Sequence, residues 1–229
     1  MPMVAAELLR PVLLHEISIL VVSEPLPVGA HPVESFGRAV GEACEQLGAR
    51  VHAFARGTHV DEAAMDAAVA SATTNDDLAA DGTVTPAGGP AVPAGPERGG
   101  LDMLVVDGAG LFASGGLRAC LESAWDATRA VVNLAFLPAG HGGRIVYLAP
   151  SPAADRSEIG QHADAARAGL ENLGRTLSIE WARHGITLVT IAPGDATAAG
   201  EVAALCAYLA SPAGAYFSGC LLDLRGTER

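Results

Sequence analysis

The sequence predicts an α/β fold, a doubly wound parallel sheet with helices on both faces. Three observations carry this. Short β-branched runs alternate with longer stretches of helical periodicity. The strongest runs are continuously apolar, as strands buried on both faces require. At 229 residues the chain is long enough for a complete core, and a single domain over 1–229 is expected.

Ile17 to Ser23 reads as the first strand. Val33, Phe36, Val40, Cys44 and Leu47 then recur at helical spacing and stop at Gly48. Arg50 to Arg56 alternates like a second strand. Asp61 caps a helix running to about Ser71, with Ala64, Ala67 and Ala68 on one face. Leu101 to Val106, Arg144 to Leu148, Ile186 to Ile191 and Cys220 to Leu224 are four further strands. Helices fit between them at Leu117–Phe136, Gln161–Trp181 and Glu201–Leu209. Residues 75–100 break the rhythm, being rich in Gly, Pro, Ala and Asp with few large apolar side chains. Such a segment buries too little surface to offset its ordering entropy, so a flexible insertion is expected, with a docking loop as its functional alternative.

All 14 basic side chains are arginine, so the chain has no lysine, and Schiff-base, Walker-type and lysine-base chemistry are excluded. The net charge of −12 argues against nucleic acid and anionic membranes as partners. Cys44, Cys120, Cys206 and Cys220 show no paired spacing and read as buried small apolar residues. The apolar run Val12–Val22 is interrupted by His15 and Glu16 and falls short of the ~20 residues of a membrane helix. No cleavage site follows it, and a cytoplasmic protein is expected.

Four blocks of the second half carry a resemblance. LDMLVVDGAG is similar to a strand ending in Asn-Asn-Ala-Gly, and GGRIVYLAP to the strand before a catalytic serine. The stretch from Ala166 to Gly194 is similar to an active-site helix, a strand and a Pro-Gly turn, and Glu201 to Gly226 to a C-terminal helix and last strand. In this order, over roughly 101–229, they resemble the short-chain dehydrogenase/reductase family. The resemblance implies a Rossmann-like sheet. It also implies NAD(P) chemistry, with a Tyr and a Lys at i, i+4 on one helix face and a serine on the preceding strand.

The residues depart from that chemistry. Aligning Ala168-Gly169-Leu170 with the family's small-small-Leu puts Arg167 at the lysine and Ala163 at the tyrosine. The serine falls on Pro150, with Ser151 next along, and the relay asparagine falls near Cys120. The family's Thr-Gly-x-x-x-Gly-x-Gly phosphate turn is replaced by the stretch Ser23 to Pro32, in which Pro25, Pro27 and Pro32 remove N–H donors. Glu24 adds a negative charge there, about 4 kcal/mol of repulsion at contact with an effective dielectric of 20. Arg56, ending the second strand, is the one cofactor candidate, as a reader of a ribose 2′-phosphate. The Pro193-Gly194 turn runs almost directly into the last helix, leaving no room for the family's substrate lid, and the insertion at 75–100 implies a sheet one strand short.

The expectation is therefore a catalytically degenerate, oxidoreductase-like pseudoenzyme with no cofactor. The alternative is an atypical NAD(P)-dependent short-chain oxidoreductase. A further one is a cofactor-independent lyase resembling halohydrin dehalogenases, with Arg167 in the lysine's place. Ser151, His162 and Asp164 form a possible hydrolytic set, although His162 and Asp164 at i, i+2 point apart on a helix. Tyr147 reads as a core residue that offers a phenol from a new position only at the margin. The histidines lack metal-ligand spacing, so no metal is expected. The family's assembly helices keep their apolar stripe (Leu170, Leu173, Leu177, Trp181), as do Tyr216, Phe217, Leu221 and Leu222 at the end. A homodimer or homotetramer is expected, or a hetero-oligomer with an active paralogue.

Overall fold

The computed structural model describes residues 13–24, 35–55, 62–74, 100–152 and 158–225, with only the backbone described at 158–161. Six parallel strands form one sheet in the order β2-β1-β3-β4-β5-β6. They are β1 (Ser18–Ser23), β2 (Arg50–Ala55), β3 (Met103–Asp107), β4 (Gly143–Leu148), β5 (Ile186–Ala192) and β6 (Cys220–Asp223). The register is continuous, with Ile19 opposite Met103, Val105 opposite Val146, and Val146 opposite Val189. The sequence places all six strands, each within two residues of its observed ends.

The helices are α1 (Phe36–Gln46), α2 (Glu62–Thr73), α3 (Gly108–Val131), α4 (Glu158–Glu180) and α5 (Ala199–Ala210). Successive strand residues point to opposite faces, and both faces are covered. Leu20, Val22, Leu104, Val106, Ile145 and Leu188 pack beneath α2, α3 and α4. Ile19, Val21, Met103, Val105, Val146 and Val189 pack beneath α1 and α5. Burying each such side chain contributes about 1.5–3 kcal/mol, which explains why the central strands are apolar without alternation.

Three expectations are corrected. The buried face of α2 is Met65, Val69 and Ala72, not the alanine stripe Ala64, Ala67 and Ala68. Alanine is small on every face, so the two larger side chains decide which side turns inward. Second, α3 begins directly at Gly108 and not at Leu117, because Asp107 at the strand end caps it by accepting from the Gly110 N–H at 3.1 Å. Gly116 (φ 69°, ψ −162°) then bends the helix, which is why periodicity alone finds only its second part. Third, α3 runs into a π-helical turn over Val132–Phe136 and a closing turn over Leu137–Ala139.

The insertion expected at 75–100 falls, apart from Gly100, outside the described residues. The link from β5 to α5 is as short as the sequence implies, with residues 193–198 forming a turn closed by the Thr197 N–H on the Gly194 carbonyl (3.2 Å). No helix among the described residues is long and apolar enough to cross a membrane.

Candidate functional site

In a doubly wound sheet ligands bind beyond the carboxyl ends of the strands, where helix N-termini present unpaired N–H groups. At the end of β3, that ground is occupied by a side chain of the protein itself. Asp107 is completely buried. Its Oδ2 accepts from the Gly37 N–H of α1 at 2.9 Å and from the Ser35 hydroxyl at 2.7 Å, while Oδ1 accepts from the Gly110 N–H of α3. One carboxyl group thus ties together the first turns of two helices. Glycine is required at 37, since a Cβ there would lie 2.9 Å from the Asp107 Oδ2. Ser35, the N-cap of α1, also accepts from the Arg38 N–H at 3.5 Å.

The second centre lies where β4 and β5 end. Along α4, Ala163, Ala166 and Leu170 are buried, and Arg167 is partly buried on the same side. The Arg167 Nη1 donates to the Pro150 carbonyl at 2.5 Å and to the Pro193 carbonyl at 2.8 Å, pinning the ends of the two strands together. Burial and then the nearby Arg225 push the Arg167 pKa down, opposed by Asp223, Asp164 and Asp195. Arg225 itself chelates Asp223, whose carboxyl is held down at about 2 mainly by that hydrogen bond. A cleft of about 500 Å³ opens beside this cluster, walled by Pro152, Asp195, Thr197, Glu201 and Arg225.

No family model matches the sequence, and no curated protein does either. Solved structures do. A citronellol catabolism dehydrogenase (AtuB) of Pseudomonas aeruginosa PAO1 matches with a TM-score of 0.65 at 24% identity, over 96% of this chain and 97% of that one. A short chain dehydrogenase from Mycobacterium smegmatis gives 0.64 at 20% identity, over 94% and 96%. A short-chain dehydrogenase/reductase from Serratia marcescens gives 0.62 at 20%, over 93% and 97%. The fold is that of the short-chain dehydrogenases/reductases.

On this short-chain dehydrogenase fold, Ala163 and Arg167 lie at i, i+4 on one side of α4. The Ala163 methyl is 4% exposed and neither donates nor accepts a proton. Cys120 is buried beside Gly108, where a Cβ on that glycine would lie 3.3 Å from its Sγ. Burial, with the nearby Asp107 charge adding to it, pushes the Cys120 thiol up to about 12, so it is no thiolate at neutral pH. Tyr147 is fully buried and shares a 2.8 Å hydrogen bond with the Thr128 hydroxyl; burial raises its pKa strongly, which suits a core residue.

Of the hydrolytic set, His162 and Asp164 lie on α4 and Ser151 lies just beyond the end of β4. His162 is exposed, Ser151 is partly exposed, and neither has a hydrogen-bond partner among the described residues. Asp164 instead acts on Arg167 and Arg225 through its charge. Arg56 and residues 25–32 of the phosphate turn lie outside the described residues. Among the described residues no group of three or more His, Cys, Asp or Glu stands where it could hold a metal ion. Sequence reasoning missed Asp107. Its only local signal is an acid in place of the first Asn of Asn-Asn-Ala-Gly, and its partners lie some seventy residues upstream.

Proposed function

We propose that this chain is a catalytically degenerate member of the short-chain dehydrogenase/reductase family. It serves as a structural or regulatory subunit of a cytoplasmic oligomer and does not bind NAD(P) in the family's standard way. The observation that carries this is the buried Ala163 on the same helix face as an Arg167 already committed to two backbone carbonyls. A methyl group cannot serve as the general acid–base, and an arginine neither yields its proton nor takes over that task.

The phosphate end supports the same reading. Two first-turn N–H groups of α1, those of Gly37 and Arg38, already have internal acceptors. A pyrophosphate placed there would also meet the Asp107 carboxyl, at about 4 kcal/mol per pair of charges for 4 Å and an effective dielectric of 20. For assembly, an apolar cleft of about 390 Å³ runs between α3 and α4, lined by Leu121, Trp125, Gly169 and Leu173. Trp125 is 42% exposed at its rim, and Ile179 further along α4 is 79% exposed. Exposed aromatic and aliphatic side chains around such a groove fit a self-complementary dimer contact. Tyr208, Tyr216 and the edge strand β6 offer a second contact for a tetramer.

Calorimetry with NADH and NADPH is the test. No binding tighter than about 100 μM, roughly −5.5 kcal/mol, is expected. Tighter binding would overturn the reading in favour of an NAD(P)-dependent oxidoreductase. Native mass measurement tests the assembly: a dimer or tetramer, alone or with a paralogue, is expected, and a monomer under all conditions would refute it.

A further inference from the structure

The opposite edge of the sheet carries an arrangement unconnected with dinucleotide chemistry. β4 and β5 are each entered through a His-Gly turn, His141-Gly142 and His184-Gly185. The two turns touch backbone to backbone: a Cβ on Gly142 would lie 2.5 Å from the Gly185 carbonyl oxygen, a position closed to any other residue. That contact sets His141 and the Arg183-His184 pair around one cleft of about 390 Å³, with Leu137 and Phe136 as its apolar wall. The Arg183 Nε donates to the His184 Nε2 at 3.0 Å. His184 therefore accepts at Nε2 and carries its hydrogen on Nδ1, and four guanidinium N–H donors of Arg183 remain. Among the described residues no carboxylate pairs with Arg183, and His141 has no hydrogen-bond partner. In a chain of net charge −12, this is a cleft furnished with donors and a cation.

We infer that this cleft binds a phosphate-type oxyanion, carried by a small molecule whose apolar part lies against Leu137. A carboxylate bound bidentately to the arginine fork keeps only the remaining lone pairs of the same two oxygens, held in the plane of the fork. A tetrahedral phosphate keeps a third oxygen for an imidazole, so it uses the whole donor set. The site goes beyond the proposed subunit role and is independent of it, lying at the amino ends of the strands, away from Asp107 and Arg167 at their carboxyl ends.

The test follows the histidine C2–H proton resonances of the full-length protein during titration with inorganic phosphate, at constant pH and ionic strength. His141→Asn and His184→Asn identify the two signals. Saturable shifts of both are expected with phosphate and smaller ones with acetate, and Arg183→Gln should weaken phosphate binding by about tenfold or more. All three residues are exposed, so these variants keep the fold. A response no larger than that to chloride, equal binding of acetate, or unchanged phosphate binding in Arg183→Gln would each overturn the inference.

Discussion

Replacing Asp107 by alanine removes the acceptor for three donors at once. The Gly37 N–H is buried, and its charge-assisted bond is worth about 2 kcal/mol, near the middle of the range for bonds to ionised groups. The Ser35 hydroxyl and the Gly110 N–H are partly buried, and about 1 kcal/mol each is appropriate for them. Asp107→Ala should therefore lower unfolding stability by about 4 kcal/mol, or roughly 8–16 °C in Tm for a chain of this size. Asp107→Asn keeps one acceptor oxygen of the same shape and loses the charge, so about half that loss is expected. Urea unfolding monitored by circular dichroism measures both. A double-mutant cycle of Asp107→Asn with Ser35→Ala should show coupling above about 0.5 kcal/mol, because the two side chains share a bond. If Asp107→Ala costs less than about 1 kcal/mol, or costs the same as Asp107→Asn, the carboxyl group is not what ties α1 to α3.

Arg167→Met keeps most of the apolar stem but abandons the Pro150 and Pro193 carbonyls. A loss of about 1–2 kcal/mol in urea unfolding is expected for a partly exposed site, with NADH calorimetry unchanged; no loss would show that the strand ends hold without the clamp. Burial holds the Cys44 and Cys120 thiols at about 12, whereas the unfolded chain releases these protons near 9.0. Stability from these groups is therefore fully present below pH 9 and is lost as the pH rises from about 9 toward 12. The urea midpoint should fall between pH 8 and pH 10.5, less so in a Cys44→Ala/Cys120→Ala variant, and a flat profile would refute the assignment. A thiol reagent at pH 8 should modify Cys220 alone in the native protein, since the other three are buried.

The strands were legible because burial on both faces leaves no freedom: Leu20 and Val21 must both be apolar when α3 lies over one and α1 over the other. The alignment of Ala168-Gly169-Leu170 with the family's helix points to positions 163 and 167, and α4 carries both on one side because they are one turn apart. What escaped was whatever depends on two distant segments meeting. Asp107 reads locally as the end of a strand, and only the fold brings Ser35 and Gly37 to its carboxyl. Gly37 reads in sequence only as a residue of the first helix. His141 and His184 share no ligand spacing in the sequence, yet two glycine turns lay them against one cleft. In α2 the cue itself was poor, because a stripe of alanines has little asymmetry beside Met65 and Val69.

The two edges of the sheet differ in what they leave unused. At the carboxyl edge, donors and acceptors that could hold a ligand are consumed internally: Gly37 and Gly110 by Asp107, the Pro150 and Pro193 carbonyls by Arg167, and Arg225 by Asp223. A ligand arriving there would have to displace satisfied, partly buried bonds, each worth about 1–3 kcal/mol, before gaining any of its own. At the amino edge Arg183 keeps most of its guanidinium donors, with His184 its one hydrogen-bond partner among the described residues. Under the proposed reading, dinucleotide binding at the carboxyl edge would take several simultaneous changes around Asp107 and Arg167, whereas removal of Arg183 alone should weaken the inferred anion binding at the His-Gly turns.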